Sequence, residues 1–386
     1  MMEYTKIKDI NKYISQSVNP MKTPDQIFEM YSVPIYETGH PEYLRGDEIA
    51  SNKVVVHKND VLLCKINPRI NRVWVVADES DNMNIASSEW IVIRNSEYNP
   101  EYLAWYFRTP RFQKLMVSEV TGIGGSLTRA QPKAVAEYPV PVLNREKQDE
   151  IVKVLNKISG VISNRRLELQ KLDELIKARF VELFGNPVLN DKGWVQKSLG
   201  EITTKIGSGA TPKGGKEAYQ EDGITLIRSM NVHNGQFEYK DLAHISDEQA
   251  AKLDNVTIEV NDVLLNITGA SVARSCVVPV KVLPARVNQH VCIIRCKDCI
   301  IPEFLNKLLI DDNYQDLLWG IAGSGATREA ITKQQVEGLQ IIMPPIELQR
   351  EFMVFCKQVD KSKVAVQAAL DKAQLLFDSL MQEYFG

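Results

Sequence analysis

The strongest constraint on the fold is an internal duplication. The sequence NDVLL at residues 59–63 returns unchanged at residues 261–265, which is 202 residues later. The sequence PEYL at residues 100–103 returns as PEFL at residues 302–305 with the same spacing. Matches in the same order at a nearly constant spacing indicate a repeated structural unit. The chain is therefore expected to fold as two related halves.

Shorter identities extend this alignment. They are IR at residues 93–94 and 294–295, TR at 128–129 and 327–328, and FG at 184–185 and 385–386. A length of 386 residues with 44% hydrophobic and 25% charged residues suits two soluble domains with modest cores.

Each half begins with short β-rich runs interrupted by Gly, Asn and Pro, which predicts an α+β unit. Each half then reaches a proline-marked exit, YPVP at residues 138–141 and MPP at residues 343–345, followed by a long charged segment. The predicted organisation is a first domain at residues 1–143, a helix at 144–185, a second domain at 186–345 and a helix at 346–386.

Both charged segments carry a narrow apolar stripe at helical spacing. In the first the stripe residues are Ile151, Leu155, Ile158, Ile162, Leu169, Leu172, Ile176 and Leu183, and in the second they are Phe355, Val359, Val366, Leu370, Ala373, Phe377, Leu380 and Tyr384. Two helices of equal length can cover both stripes by packing together, so the pattern predicts an antiparallel coiled coil. The alternative is that each helix folds back on its own domain.

The order of domain, helix, domain and helix resembles the specificity subunit of type I restriction-modification enzymes. The second half carries the resemblance in GW at residues 193–194, KSLGEI at 197–202, SGATP at 208–212, NDVLLNITG at 261–269 and VNQHV at 287–291. The helix starts PVLNREKQ at 141–148 and PPIELQ at 344–349 also match the family pattern. The first domain departs from it, with INKY at residues 10–13 where the family often has a serine-glycine-x-threonine-proline element.

The resemblance implies two target recognition domains, each reading one half of a split, asymmetric site on double-stranded DNA. It also implies docking of two methyltransferase (M) subunits on the helices, with motor-nuclease restriction (R) subunits joining the assembly. The chain itself is expected to be non-catalytic and to bind no cofactor or metal, while the partner methyltransferase uses S-adenosylmethionine. No Asn-Pro-Pro-aromatic methyltransferase loop or G-x-G-x-x-G turn occurs in the sequence.

Bases and phosphates are contacted mainly by Arg, Lys, Asn, Gln, Ser and Thr. Two pairs of loop segments at equivalent positions of the halves offer such groups, and a further basic segment lies at residues 209–217. The predicted DNA-binding residues are Lys65, Asn67, Arg69, Asn71, Arg72, Thr128, Arg129, Lys213, Lys216, Asn266, Thr268, Ser271, Arg274, Thr327 and Arg328. For the glycine-rich segments before Thr128 and Thr327, the alternative is a turn whose Thr caps the next helix.

Two other patterns keep alternative interpretations. The segment with Lys213 and Lys216 is either a basic loop without a ligand or a loop that contacts the DNA backbone, because its glycine spacing does not fit a nucleotide-binding loop. Cys292, Cys296 and Cys299, with His290 nearby, provide enough ligands for zinc, but a buried strand explains Cys292 equally well.

The net charge of −3 and the pI near 6.1 do not indicate a nucleic-acid binder, because a DNA-binding surface is usually basic. This balance leaves room for a protein-binding scaffold without DNA contacts, and a related system with a methylase fused to a nuclease is a second alternative. No apolar run is long enough to span a membrane, and the six cysteines do not resemble a secreted disulfide framework, so a cytoplasmic protein is expected.

Overall fold

The computed structural model describes residues 3–77, 79–118, 120–121, 128–212, 214–323 and 329–386. The chain divides into two compact units, and the first combines residues 1–166 with residues 368–386. The second unit is residues 167–367. Each unit mixes sheets and helices, which confirms the α+β class.

The first unit is built around two small sheets. Its strands are Tyr4–Lys6 (β1), Ser17–Val18 (β2), Ile27–Tyr31 (β3), Glu42–Arg45 (β4), Lys53–Val55 (β5), Val61–Cys64 (β6), Val73–Val75 (β7), Met83–Ala86 (β8), Trp90–Ile93 (β9), Val120–Thr121 (β10), Arg129–Ala130 (β11) and Pro139–Pro141 (β12). One sheet has the order β2-β5-β8-β3-β4, the other has the order β7-β6-β9, and β1-β12 and β10-β11 form separate pairs. Its short helices are Ile7–Ile10 (α1), Pro100–Phe107 (α2), Pro110–Ser118 (α3) and Pro132–Val135 (α4).

The second unit repeats the arrangement around a four-stranded sheet formed, in spatial order, by Thr203–Ser208, Val291–Cys296, Val263–Asn266 and Ser275–Val277. Its strands are Gln196–Ser198 (β13), Thr203–Ser208 (β14), Ile224–Ile227 (β15), Val232–His233 (β16), Gln236–Phe237 (β17), Ala243–Ile245 (β18), Val263–Asn266 (β19), Ser275–Val277 (β20), Ala285–Val287 (β21) and Val291–Cys296 (β22), with Gln340–Ile342 (β23). The helices are Asp247–Ala251 (α6), Pro302–Leu309 (α7), Asp312–Gly323 (α8) and Lys333–Gly338 (α9). The two long helices are Arg145–Phe184 (α5) and Ile346–Phe385 (α10).

The duplication extends to individual side chains around the central strands β6 and β19. Asp60 and Arg94 form an ion pair with an Oδ2–Nη2 distance of 2.6 Å, and Asp262 and Arg295 form the equivalent pair at 2.8 Å. Both aspartates are buried, at 1% and 0% side-chain exposure. Each also accepts a backbone N–H three residues earlier, so it closes the turn before its strand.

Each long helix is fixed to its own half by a glutamine in its first turns. Gln148 accepts the backbone N–H of Asn99 at 2.7 Å, and Gln349 accepts that of Ile301 at 3.0 Å. Both glutamines are buried, at 1% and 0% exposure. The proline-then-glutamine pattern therefore marks the contact of each long helix with the start of a short helix. The helix α5 contacts the start of α2, and α10 contacts the start of α7.

The far end of each helix completes the core of the opposite half. Within the first unit Phe385 packs on Tyr102 with ring centroids 5.5 Å apart. Within the second unit Phe184 packs on Phe304 with centroids 4.9 Å apart. Both phenylalanines are fully or nearly fully buried, at 1% and 0% exposure. The compact units therefore divide both helices, between residues 166 and 167 and between residues 367 and 368. The four segments defined from the sequence stay a prediction.

The parts of α5 and α10 that belong to the second unit run antiparallel. In the second unit Arg179 pairs with Glu351 at 3.1 Å and Asp173 pairs with Lys363 at 2.5 Å. In the first unit Arg166 donates to Gln374 at 3.4 Å. In the second unit, the α5 residue with the higher number pairs with the α10 residue with the lower number, as antiparallel helices require. A coiled coil along the whole helix length stays a prediction.

Candidate nucleic-acid interface

In the first unit the structure brings together two segments that the sequence singled out separately. The loop after β6 pairs with the segment that begins at Thr128, whose carbonyl accepts the backbone N–H of Asn67 at 2.8 Å. The carbonyl of Lys65 accepts the N–H of Ala130 at 2.9 Å, and Ile66 and Arg129 form an isolated β-bridge. We call residues 65–72, 89 and 128–129 interface 1.

The side chains of this loop divide between solvent and the fold. Arg69 is exposed, and Lys65 and Asn67 are half-buried. Asn71 donates its amide to the carbonyl of Phe107 at 3.3 Å, and the carbonyl of Arg72 accepts the N–H of Cys64 at 3.1 Å. The first three are therefore available to a ligand, whereas Asn71 and the backbone of Arg72 hold the loop against the domain.

A residue that sequence reasoning missed joins interface 1. Glu89 binds Arg129 through both carboxylate oxygens, with Oε2–Nε and Oε1–Nη2 distances of 3.2 Å each. The carbonyl of Glu89 accepts the N–H of Lys65 at 3.0 Å, so the residue belongs to the same surface. The carboxylate beside it raises the pKa of Arg129.

The second unit forms the equivalent surface from the loop after β19. Gly269 donates its N–H to the carbonyl of Glu329 at 2.9 Å, and Thr268 and Ala330 form an isolated β-bridge. Since this bridge is equivalent to that of Ile66 with Arg129, the backbone aligns Arg129 with Ala330. The sequence identity had aligned it instead with Arg328, because insertions between the halves shift the match locally.

These residues border a groove with a volume of 540 Å³. Its walls include Thr268, Ser271, Arg274, His290 and Glu329. Three predicted DNA-binding residues, Thr268, Ser271 and Arg274, therefore face one opening. We call residues 211, 267–274, 289–290 and 329–330 interface 2.

Asn266 is placed differently from these residues. It is fully buried at 0% exposure, and its amide donates to the carbonyl of Ser229 at 2.8 Å. The structure therefore gives Asn266 a supporting position beneath the groove, because the last residue of β19 points into the domain. Thr327, Arg328 and Lys213 lie outside the described residues, as does the side chain of Lys216.

A line of four polar side chains crosses interface 2. The hydroxyl of Thr211 donates to Gln289 Oε1 at 2.5 Å, and Gln289 Nε2 donates to His290 Nε2 at 3.0 Å. His290 Nδ1 lies 2.5 Å from Thr268 Oγ1. An imidazole whose Nε2 atom accepts carries its proton on Nδ1, so this arrangement makes Nδ1 of His290 the donor to Thr268. The hydroxyl proton of Thr268 is then free to point into the groove.

Glu89 and His290 occupy equivalent positions. The carbonyl of His290 accepts the N–H of Ile267 at 2.9 Å, as the carbonyl of Glu89 accepts that of Lys65 at 3.0 Å. Both residues directly precede the repeated strands β9 and β22. An alignment of the two halves through β9 and β22, rather than through short sequence identities, identifies Glu89 and His290 as equivalent residues.

The cysteine cluster is spread over different environments. Cys292 is buried in β22, where burial raises its pKa to about 12, and Cys299 is exposed. Within the described residues, no group of three or more His, Cys, Asp or Glu side chains is close enough to hold a metal ion. The geometry favours the buried-strand interpretation of Cys292.

Among the residues that the structure describes, no helix combines the length and apolar character required to cross a bilayer.

Comparisons with known proteins agree with the fold. Residues 191–373 match the family model of the type I restriction modification DNA specificity domain. The chain is 22% identical over 393 residues to a protein described as the type I restriction enzyme MjaX specificity subunit of Methanocaldococcus jannaschii, covering 93% of this chain and 86% of that protein.

Two solved structures share the fold. One, from work on complex assembly and conformational transition of the type I R-M system, superposes with a TM-score of 0.61 at 19% identity, over 100% of this chain and 97% of the other. The type I system S subunit from M. genitalium gives a TM-score of 0.58 at 12% identity, over 100% and 96% of the two chains. Residues 191–373 therefore carry a type I restriction modification DNA specificity domain, and the duplicated α+β fold of the whole chain is the one seen in the specificity subunits that it resembles.

Proposed function

We propose that the chain reads a bipartite, asymmetric target on double-stranded DNA, one half-site through each domain. The observation that carries the proposal is the equivalence of interfaces 1 and 2. In both halves the loop after the central strand pairs with a later segment, by a backbone N–H to carbonyl bond of 2.8 Å in one and 2.9 Å in the other. Duplicated surfaces with different side chains suit two half-sites of different sequence.

The side chains at interface 1 match the chemistry of DNA. Lys65 and Arg69 supply positive charge for phosphates, and Asn67 offers an amide suited to adenine. Charge gathered on one face makes the overall charge of −3 compatible with binding DNA. Partner subunits are expected to neutralise further phosphates.

The long helices are proposed to act as a spacer and as docking surfaces. Each has 40 residues and spans roughly 60 Å at 1.5 Å per residue. If they pair along their length, the coiled coil fixes the number of unread base pairs between the half-sites, as dimer geometry does in other DNA readers. Exposed apolar residues on the helices, such as Val161 and Leu175 on α5 and Val364 and Leu375 on α10, offer contacts for two methyltransferase subunits.

In this proposal the chain is not itself an enzyme. Base methylation is carried out by the docked methyltransferases with S-adenosylmethionine, and motor-nuclease subunits join through them. The complex acts in the cytoplasm, where chromosomal and invading DNA are found. A partner in which methylase and nuclease are fused is the nearest alternative, and a scaffold without DNA contacts is the more distant one.

The test is methylome sequencing of a methylation-deficient host. The chain is co-expressed with its neighbouring methyltransferase, and a second culture expresses the methyltransferase alone. A split, asymmetric motif that requires the chain supports the proposal. Unchanged methylation in the presence of an assembled complex would favour the scaffold function. Pull-down of the complex identifies whether its partner is a separate or a fused methylase.

A further inference from the structure

The ion pair of Glu89 and Arg129 has a geometry that leaves one edge of the guanidinium open. The carboxylate takes the edge formed by Nε and Nη2, at 3.2 Å to each nitrogen. A guanidinium carries five N–H donors in one plane, and among the described residues the two Nη1 donors and the second Nη2 donor have no acceptor. One donor on Nη1 and one on Nη2 point in parallel from the end of the group, and this open edge can donate both to a ligand.

Both members of the pair are held by the backbone of the same loop. Arg129 lies in β11 and bridges Ile66, and the carbonyl of Glu89 accepts the N–H of Lys65. The backbone N–H of Glu89 donates to the hydroxyl of Ser87 at 3.2 Å. The side chain of Arg129 is 42% exposed and that of Glu89 is 27% exposed, so the open edge is accessible while the carboxylate is partly covered. The guanidinium is therefore oriented before any ligand arrives.

The neighbouring carboxylate makes this arginine a poor phosphate ligand. Phosphate contacts depend on net positive charge, and Glu89 cancels the charge of Arg129 while repelling a phosphate group nearby. A guanine base presents the uncharged acceptors O6 and N7, side by side, to the major groove. Two parallel N–H donors on an oriented guanidinium match those two acceptors.

We propose that Arg129 reads a guanine in the half-site of the first domain and that Glu89 is its positioning residue. The inference rests on the proposed function and adds the base that this surface selects. The second domain lacks the pair, since Ala330 and His290 stand at the equivalent positions. The two half-sites are consequently read with different chemistry at corresponding points, as an asymmetric target requires.

The experiment is methylome sequencing of the assembled complex carrying wild-type chain, Arg129→Ala, Arg129→Lys or Glu89→Gln. The control is Arg45→Ala, which removes an exposed arginine of β4 that is ion-paired with Asp25 at 2.8 Å. Wild type should give a motif with a G·C pair in one half-site. Arg129→Ala should relax that position alone, with discrimination falling on the order of tenfold to a hundredfold.

The other variants separate a reading role from a structural one. Arg129→Lys keeps the charge but lacks the planar fork, so it should relax the same position. Glu89→Gln should relax it too, while DNA of any sequence binds as tightly as before or tighter, because a negative charge is lost. A purely structural role would instead lower methylation at every site equally and would overturn the inference.

The dependence of DNA affinity on salt concentration tests independently whether Arg129 contacts a base or a phosphate. If Arg129→Ala lowers affinity for all sequences and reduces the salt slope by about one, Arg129 contacts a phosphate and the inference is wrong. A motif that depends on the chain but is unaltered by all three variants overturns this inference alone. Methylation that does not depend on the chain overturns the proposed function and the guanine contact with it.

Discussion

Gln113 and Gln315 lie 202 residues apart at equivalent positions, and each anchors the candidate DNA loop of its own half. Gln113 on α3 donates its amide to the carbonyls of Pro68 and Arg69 at 2.9 and 2.7 Å. Gln315 on α8 donates to the carbonyl of Ala273 at 2.9 Å. Ala273 has a φ of 70°, a strained value for a residue with a side chain, so its loop conformation depends on such anchors.

Removing either anchor should affect one half-site only. Gln113→Ala is expected to lower discrimination at the first half-site about tenfold, since it removes two hydrogen bonds that contribute roughly 0.5–1.5 kcal/mol each. Gln315→Ala should do the same at the second half-site. Competition binding of the assembled complex to DNA altered in one half-site measures both. Gln170→Ala, which removes an exposed amide bonded only to Glu174 among the described residues, is the control. An effect on the opposite half-site would contradict independent reading.

The threonine at the end of the polar line in interface 2 provides a matched pair of variants. Thr268→Val keeps the shape but removes the hydroxyl that His290 orients, and should weaken recognition of the second half-site about tenfold. Thr268→Ser retains the hydroxyl and should stay near wild type. The same competition assay measures both variants. A loss for serine with none for valine would indicate that the methyl group, rather than the hydroxyl, matters.

The buried ion pairs at the turns before β6 and β19 should be essential for stability. Asp60→Asn leaves Arg94 without its charged partner, and the expected loss in the free energy of unfolding is about 2–3 kcal/mol. This is below the full range for a buried pair because the side chain of Arg94 is 32% exposed. Urea unfolding followed by circular dichroism measures the change. Glu150→Gln, in a pair with 55% and 59% exposed side chains, should cost less than about 1 kcal/mol.

Thiol reactivity should separate the cysteines. Burial raises the pKa of Cys276 and of Cys292 to about 12, so their reactive thiolates are scarce at pH 8, whereas Cys299 is exposed. Iodoacetamide at pH 8 should label Cys299 and leave the two buried thiols unmodified in the native protein, as judged by mass spectrometry. Rapid labelling of Cys292 would place it outside the core.

The same thiols predict loss of stability at alkaline pH. Their folded pKa values lie above the unfolded value of 9.0, so the folded state keeps its protons longer than the unfolded chain. Their contribution is complete below pH 9 and is lost as the pH rises toward 12. Urea midpoints measured across this window should fall, and Cys276→Ala should reduce the fall. A midpoint that rose with pH would contradict the burial of these groups.

Spacer length should follow helix length. Deleting residues 164–170 and 368–374 removes segments that surround the hydrogen bond of Arg166 with Gln374. Seven residues correspond to roughly 10 Å of helix, or about 3 base pairs at 3.4 Å each. The methylome motif should keep both half-sites and lose about three unread bases between them. An altered half-site sequence would refute the spacer role, and deletion from one helix alone is the control for lost pairing.

Much of the fold follows from the sequence because the duplication marks the same elements twice. The NDVLL repeat identifies the central strands, and the apolar stripes predict two long helices where α5 and α10 lie. The stripes could not reveal that Phe184 and Phe385 end in the cores of opposite halves. Such contacts join residues far apart in sequence, and periodicity carries no information about them.

The candidate site was predictable in outline but not in detail. Loops after the repeated strands were identified because polar residues recur there, and the structure joins each to a second segment. Glu89 was missed since an acidic residue does not suggest DNA binding by itself, and its meaning appears only beside Arg129. Asn266 was included because amides suit bases, although strand geometry turns it inward.

The division of the molecule into units also sets the order in which it can finish folding during synthesis. The second unit is one continuous segment, residues 167–367, and is complete once that stretch has left the ribosome. The first unit begins earlier yet requires residues 368–386, including Phe385 at 1% exposure. The domain translated first is therefore the last to close its core, and a chain truncated before the end of α10 would release a folded second unit beside an unfinished first one.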